Sequence, residues 1–116
     1  MKTQIVYHRG ACRHAPENTI ASGLAAARLG GDIVELDVRQ SRGGVLYVLH
    51  DAKVDRATNG TGAIAQMTSA DLDRLDVGEW FGLAFTGERL PRQGRNWCWP
   101  MGRGSPVRRG YKLMAR

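Results

Sequence analysis

The sequence lacks long apolar runs and contains little cysteine or proline. No apolar stretch approaches the roughly 20 residues of a bilayer-spanning helix. The first ten residues, MKTQIVYHRG, contain no apolar signal-peptide core, so we predict a cytoplasmic protein. Cys12 and Cys98 make one possible pair, but two cysteines in a cytosolic chain are more often unpaired thiols. The sequence therefore predicts one modest globular domain, without a membrane span or a disulfide scaffold.

Acidic residues are missing from the last quarter of the chain. Residues 1–88 contain all 11 acids and nine bases, for a net charge of −2. Residues 89–116 contain eight bases and no acid, for a net charge of +8. Such an abrupt change in charge marks a boundary. We therefore predict a structured region over 1–91 and an irregular basic tail, rich in Arg, Gly and Trp, over 92–116.

The tail has neither helical nor strand periodicity, and three interpretations stay open. It is a disordered segment, or a small basic surface that binds nucleic acid or anionic lipid. In the third interpretation, the tail is the product of translating a GC-rich gene in the wrong reading frame, where Arg, Gly, Pro and Trp codons become common. Reading the coding DNA in the other two frames tests the third interpretation.

Strand-like and helix-like segments alternate in residues 1–91. Segments dense in β-branched and aliphatic residues predict strands at 4–7, 32–38 and 45–49. Residues 19–29 have helical spacing of apolar positions, with Asn18 or Thr19 as the cap.

The turn at 41–44 is too short for a crossover helix, so its flanking strands form an antiparallel hairpin. If this turn centres between Arg42 and Gly43, His50 faces Glu35 across the hairpin. A short second helix follows Thr68, with Asp71 reaching back to the cap.

Titratable side chains lie at or near the ends of the three predicted strands. His8 and Arg9 follow the first, Glu35 and Asp37 lie within the second, and His50 follows the third. In an α/β barrel, catalytic residues lie at the C-terminal ends of strands, where the loops converge. We therefore expect these five side chains to meet, whereas His14 has no strand end to place it and is predicted to lie on a surface loop.

The chemistry of these groups suits phosphoryl transfer. Glu35 and Asp37 share one strand face, where they either face solvent or bind a divalent cation such as Mg²⁺ or Ca²⁺. Arg9 offers a planar fork suited to phosphate, and histidines exchange protons near neutral pH. Together these groups predict charge neutralisation, oxyanion binding, a base and an acid.

Five motifs in order now resemble the glycerophosphodiester phosphodiesterase family: HRG…APENT, ELDV, LHD, DRATNGTG and GEWFG…ERLP. The resemblance covers residues 4 to about 91. It implies an α/β fold, namely part of a TIM (β/α)₈ barrel: the first two barrel strands, a β-hairpin and two helices. It also implies hydrolysis of glycerophosphodiesters to glycerol 3-phosphate and an alcohol, with the glycerol hydroxyl as internal nucleophile through a cyclic phosphate.

The resemblance also implies a role for each matching residue. The implied catalytic histidines are His8 and His50, the phosphate or substrate contacts are Arg9 and Glu17, and the metal ligands are Glu35 and Asp37. It implies that Asn18 orients its loop. Asp51 and the Asp55-Arg56 pair are similar to groups that support the site or fix a loop.

The sequence departs from the family pattern after ERLP. The strand that carries a third metal-binding glutamate is missing there, and no acid follows Glu88. A complete barrel needs about 250 residues. We therefore expect an N-terminal fragment with impaired activity, produced by truncation or a frameshift.

Two alternatives stay open beside the fragment. One is a minimal enzyme completed by dimerisation, and the other is a small basic binder that acts through the tail. An open apolar sheet edge would also favour oligomers or aggregation.

Overall fold

The computed structural model describes residues 3–93 and the backbone of residues 111–115. Its helices and strands, in chain order, are β1 (Val6–His8), α1 (Ile20–Arg28), β2 (Ile33–Gln40), β3 (Leu46–Val48), α2 (Ser69–Leu72), β4 (Arg92–Gln93) and β5 (Tyr111–Ala115). Short 3₁₀ turns lie at Ile64–Gln66 and Leu83–Phe85. Most elements fall within two residues of the predicted ranges.

Strands β1 and β2 are parallel neighbours joined by helix α1. Val6 pairs with Ile33 and His8 with Glu35. The crossover helix begins after Thr19, whose side chain accepts a hydrogen bond from the Ser22 N–H at 3.1 Å while Ser22 Oγ accepts one from the Thr19 N–H. This capping box selects Thr19 from the two predicted caps. The β–α–β unit confirms the α/β class.

The β2–β3 hairpin is antiparallel as predicted, but its register differs by one residue. Val38 pairs with Val48, and the Ser41 N–H donates to the Val45 carbonyl at 2.8 Å. The turn therefore has three central residues, with Gly44 in the left-handed conformation at φ 83°, rather than two. Continued to position 50, this register places His50 level with Leu36, so the prediction that His50 faces Glu35 is wrong.

Strands β1 and β3 lie end to end along one edge of β2. The Glu35 carbonyl accepts from the Arg9 N–H, and the Asp37 carbonyl accepts from the Leu49 N–H. Carbonyls two residues apart on a strand point to the same edge. This arrangement brings the C-terminal ends of β1 and β3 together beside Glu35 and Asp37.

The opposite edge of β2 is paired with β5, in parallel, from Val34 to Val38. Strand β4 pairs with β3 on the far side of the hairpin. Both strands fall within the range that the sequence predicts to be irregular, and β5 covers one edge of β2. Residues 94–110 lie outside the described part of the chain, so the disorder, binding and frameshift interpretations of the tail stay predictions.

Two apolar clusters flank the sheet. One packs β2 against α1 through Val34, Leu36, Val38 and Ala26. The other surrounds Tyr47, which pairs with Arg39 of β2 and so lies on the other face. Since side chains alternate along β2, Glu35 and Asp37 point away from α1. The burial pattern thus directs both carboxylates to the face opposite the crossover helix.

Over the described residues, no helix has the length and hydrophobicity that crossing a bilayer requires. The cytoplasmic location stays a prediction. Cys12 is a free thiol, and Cys98 lies outside the described residues.

Candidate active site

Asp37 lies at the centre of the candidate site. Its side chain is fully buried, and Oδ2 is 3.2 Å from Arg9 Nε. Asn18 makes two hydrogen bonds to Asp37, both at 3.3 Å. Its Nδ2 donates to Asp37 Oδ2, and its Oδ1 accepts from the Asp37 N–H. The paired arginine and amide compensate the cost of burying this charge. Asn18 therefore orients a carboxylate of the site, a more specific role than orienting its loop.

Left-handed backbone conformations aim Arg9 and Asn18 into the site. Their φ angles are 61° and 56°, and Gly10 follows at 88°. Outside glycine such conformations cost about 1–2 kcal/mol each. The Arg9 carbonyl accepts hydrogen bonds from the Asn18 N–H at 2.9 Å and from Ser22 Oγ at 3.1 Å. These bonds hold the strained loop, and such strain is commonly concentrated at functional sites.

A continuous series of ion pairs extends from Arg9 to His50. Arg9 Nη1 is 3.2 Å from Glu17 Oε2. Arg56 donates to both oxygens of Glu17, at 2.6 and 3.0 Å, and to both oxygens of Asp51, at 2.8 and 3.1 Å. Asp51 Oδ1 lies 2.7 Å from His50 Nδ1. The loop after β3 is thereby tied to the loop after β1.

Both acids of this series are ionised at neutral pH. Hydrogen bonds from Arg56 and His50 lower the pKa of Asp51 to about 2. Burial opposes ionisation of Glu17, but Arg56 and Arg9 hold its pKa below the ordinary value. Since an ionised Asp51 can only accept, His50 Nδ1 carries the hydrogen of the shared bond. The other nitrogen, Nε2, then carries no hydrogen when the ring is neutral.

Glu35 combines a histidine contact with a buried oxygen. Its Oε2 lies 3.6 Å from Nε2 of His8, a largely exposed histidine. Its Oε1 is buried and, within the described residues, has no hydrogen-bond partner. The ion-paired side chains of the site include four carboxylates and two guanidinium groups, which together carry a formal charge of −2. A buried carboxylate oxygen in a negative site fits a divalent cation.

Among the described residues, Glu35 and Asp37 are the carboxylates that could hold such a cation. No group of three or more His, Cys, Asp or Glu side chains with ligand geometry occurs over 3–93. Mg²⁺ and Ca²⁺ take six or more oxygen ligands, of which several are often water or substrate. Glu35 and Asp37 therefore fit as a partial ligand set.

Sequence reasoning missed two features of the site. The resemblance placed Arg56 only in a supporting loop. In the structure its guanidinium joins the two halves of the site, namely Glu17 in the loop after β1 and Asp51 in the loop after β3. Arg39 Nε donates to the His50 carbonyl at 2.8 Å, and its position two residues after Asp37 was an available signal. His14, by contrast, is exposed as predicted.

Comparisons with known proteins show which family this chain belongs to. The sequence pattern of the glycerophosphoryl diester phosphodiesterase family matches residues 8–106. The chain belongs to this family. The family fold is a TIM barrel, of which the described residues form a partial α/β fragment. The family match continues past the predicted boundary at residue 91, which stays a prediction.

Individual members of the family are similar over most of this chain. A glycerophosphodiester phosphodiesterase of Caldanaerobacter subterraneus is 47% identical over 91 residues, which are 78% of this chain and 37% of that protein. A solved glycerophosphodiester phosphodiesterase from Agrobacterium tumefaciens is 54% identical at a TM-score of 0.77, covering 78% of this chain and 39% of its own.

A solved phosphodiesterase of Oleispira antarctica, in complex with the product sn-glycerol-3-phosphate, is 33% identical at a TM-score of 0.84. That match covers 98% of this chain and 44% of the other. The chain spans about a third of the length of the curated family members that it matches.

Proposed function

We propose that this site belongs to a metal-dependent phosphodiester hydrolase that converts glycerophosphodiesters to glycerol 3-phosphate and an alcohol. The observations that carry the proposal are the ion pairs of His8 with Glu35 and of Arg9 with Asp37. His50 is joined to Arg9 through a series of ion pairs that includes Asp51, Arg56 and Glu17. The product bound by the Oleispira antarctica relative supports the glycerol phosphate part of the substrate.

Arg9 is proposed to bind the phosphate. Glu17 accepts a hydrogen bond from its Nη1, and Asp37 makes an ion pair at its Nε, so two carboxylates hold the guanidinium. Its other N–H groups then present a fixed planar donor set, which matches phosphate oxygens. Positioning the guanidinium in advance reduces the entropy lost when the substrate binds.

His8 and His50 are proposed to transfer the protons. One imidazole takes the proton of the glycerol hydroxyl next to the phosphate, and that oxygen attacks phosphorus to form a cyclic phosphate. The other imidazole, protonated, gives its proton to the alcohol oxygen that leaves. Water then opens the cyclic phosphate with the roles reversed. Asp51 supports this exchange by holding the Nδ1–H of His50, which exposes Nε2.

Glu35 and Asp37 would hold the divalent cation, Mg²⁺ or Ca²⁺. When bound, the cation supplies positive charge that offsets the phosphate oxygens. The buried Glu35 Oε1 and the excess of carboxylates over guanidinium groups support this assignment. Because two carboxylates are a partial ligand set, we propose weak cation binding and low activity for the 116-residue chain by itself.

The test is glycerophosphocholine hydrolysis by the purified 116-residue chain, with Mg²⁺, Ca²⁺ or a chelator. We expect weak, metal-dependent release of glycerol 3-phosphate that falls by about 100-fold or more in His8→Ala and Glu35→Ala. His14→Ala is the matched control and should keep the parental rate, because His14 lies outside the site.

Binding of sn-glycerol 3-phosphate provides a second readout that does not need turnover. We expect it to shift the histidine NMR signals of the parent and to do so far less in Arg9→Gln. Hydrolysis that is equal in the parent, His8→Ala and Glu35→Ala would refute the proposed site. Activity that rises with the fraction of dimer would favour the enzyme completed by dimerisation.

A further inference from the structure

Arg56 makes two forked ion pairs with one guanidinium. Nη1 and Nη2 donate to the two oxygens of Glu17, and Nε and Nη2 donate to the two oxygens of Asp51. These are two neighbouring edges of the same rigid plane, so the positions of both carboxylates are set together. A lysine, with its single ammonium, cannot reproduce this geometry.

The two carboxylates that Arg56 holds belong to different halves of the site. Glu17 contacts Arg9, the proposed phosphate-binding residue. Asp51 contacts His50, a proposed proton carrier. Glu17 and Asp51 lie close enough for the charge of Asp51 to oppose ionisation of Glu17. Without a cation between them, the two acids would repel and the two halves of the site would lose their fixed spacing.

The side chain of Arg56 is more exposed than the two carboxylates that it holds. The Glu17 side chain is 10% exposed, whereas that of Arg56 is 47% exposed. The pair of Arg56 with Asp51 is partly exposed on both sides and so contributes little to overall stability. Glu17 keeps Arg9 as an ion-pair partner when Arg56 is lost. The consequence of losing Arg56 should therefore appear in the geometry of the site more than in the free energy of unfolding.

We propose that Arg56 is a positioning residue that sets the orientation of His50 through Asp51 and of Arg9 through Glu17. The functional part of this inference rests on the proposed phosphodiesterase function. The structural part does not, because it concerns the hydrogen on His50 Nδ1 in the free protein.

The first experiment measures the histidine tautomer by ¹⁵N NMR of the 116-residue chain. In the parent we expect His50 to carry its hydrogen on Nδ1. In Arg56→Gln we expect the Nδ1–H fraction to fall, because Asp51 no longer has a fixed position. Arg56→Lys keeps the charge without the fork and should restore the fraction only in part.

Arg92→Gln is the matched control. Arg92 also makes a forked pair with an aspartate, Asp73, and its side chain is 50% exposed, but it lies away from the site. It should leave the His50 signals unchanged. Circular dichroism and a urea unfolding curve on each variant identify any change that comes from loss of the fold, and Arg56→Lys then serves as the better-folded variant.

The second experiment measures kcat and KM for glycerophosphocholine. A displacement of catalytic groups by about 1 Å can cost about 100-fold in rate, so we expect a loss of that order in kcat/KM for Arg56→Gln and none for Arg92→Gln. We expect both parameters to change, since Arg9 binds and His50 reacts.

The outcomes separate the two proposals. A parent without turnover refutes the proposed function, while the His50 tautomer still decides the role of Arg56. An unchanged or higher Nδ1–H fraction in a folded Arg56→Gln would overturn the positioning role, as would equal effects of Arg56→Gln and Arg92→Gln on the His50 signals.

Discussion

Gly10 lies in the tightest backbone contact of the candidate site. A Cβ atom at this position would meet Ser22 Oγ and would lie 2.6 Å from Ser22 Cβ. Gly30 has nearly the same backbone conformation, φ 84° against 88°, but a Cβ atom added there would meet nothing within 4 Å. Substitutions at these two glycines therefore distinguish the free-energy cost of the left-handed conformation from that of the steric contact with Ser22.

We expect Gly30→Ala to destabilise the fold by about 1–2 kcal/mol, the cost of the left-handed conformation. Gly10→Ala should cost about 1–3 kcal/mol more, because Ser22 must move. Urea unfolding of both variants gives the difference. Equal midpoints would show that the contact with Ser22 relaxes without cost.

Asp76 is a buried carboxylate that has a structural role outside the candidate site. The N–H groups of Glu79, Gly87 and Gly78 donate to its oxygens and hold its pKa below the ordinary 3.8. Because the folded-state pKa is lowered, this stabilisation is present above the unfolded pKa and is lost as the pH falls through the folded value.

We therefore expect stability to decrease from about pH 5 downward. Asp76→Asn should lose about 1–3 kcal/mol at pH 7, because at least one N–H group loses its acceptor. The free energy of unfolding of the variant should also change less with pH, which unfolding curves between about pH 3 and about pH 7 would measure. An acid dependence equal to that of the parent would contradict the role given to Asp76.

At the scale of elements, the start of α1 determines where the site loop ends. Thr19 is fully buried; its hydroxyl accepts from the Ser22 N–H and donates to the Pro16 carbonyl at 2.6 Å. Thr68 caps α2 in the same way, but it is exposed.

We expect Thr19→Ala to cost up to about 2 kcal/mol and Thr68→Ala under about 1 kcal/mol, since a buried cap leaves unpaired polar groups. Chemical unfolding of the two variants tests the difference. A greater loss in Thr68→Ala would contradict this ranking.

The β2–β3 hairpin shows which features of an element can be predicted from the sequence and which cannot. Apolar patterns predicted both of its strands to within two residues, and the short connection predicted their antiparallel pairing. The register depends instead on whether the turn has two or three central residues. Ser41-Arg42-Gly43-Gly44 permits either, because both glycines tolerate a left-handed conformation. The pairing around Gly44 was decided by the sheet, and it moved His50 by one position.

At the scale of the whole molecule, β5 covers the edge of β2 that lies opposite β1. Unpaired strand edges offer free N–H and C=O groups to other chains. We expect deletion of residues 94–116 to uncover residues 34–38 of β2 and to cause association that increases with concentration. Sedimentation velocity of the deletion variant and the full chain, at matched concentrations, measures this effect. A deletion variant that stays monomeric would show that β5 is not needed to protect the edge.

The amino-acid sequence was sufficient to name the titratable side chains of the candidate site. His8, Arg9, Glu17, Glu35, Asp37 and His50 were all named from their motifs, and the structure brings them together. Apolar alternation indicates where a strand ends and which face its polar residues share, which located five of these residues, whereas Glu17 came from the family resemblance. Local signals of this kind are contained in a few neighbouring residues.

The contacts between these groups follow from the packing of the folded chain and not from local sequence. The contact of Arg56 with Glu17 spans 39 positions of the chain, and that of Asn18 with Asp37 spans 19. The pairing of β5 with β2 likewise joins segments far apart in sequence. No local pattern encodes such partners, because they depend on how packed elements approach one another. Residue types therefore specified which charges the site contains, and packing specified which charge faces which.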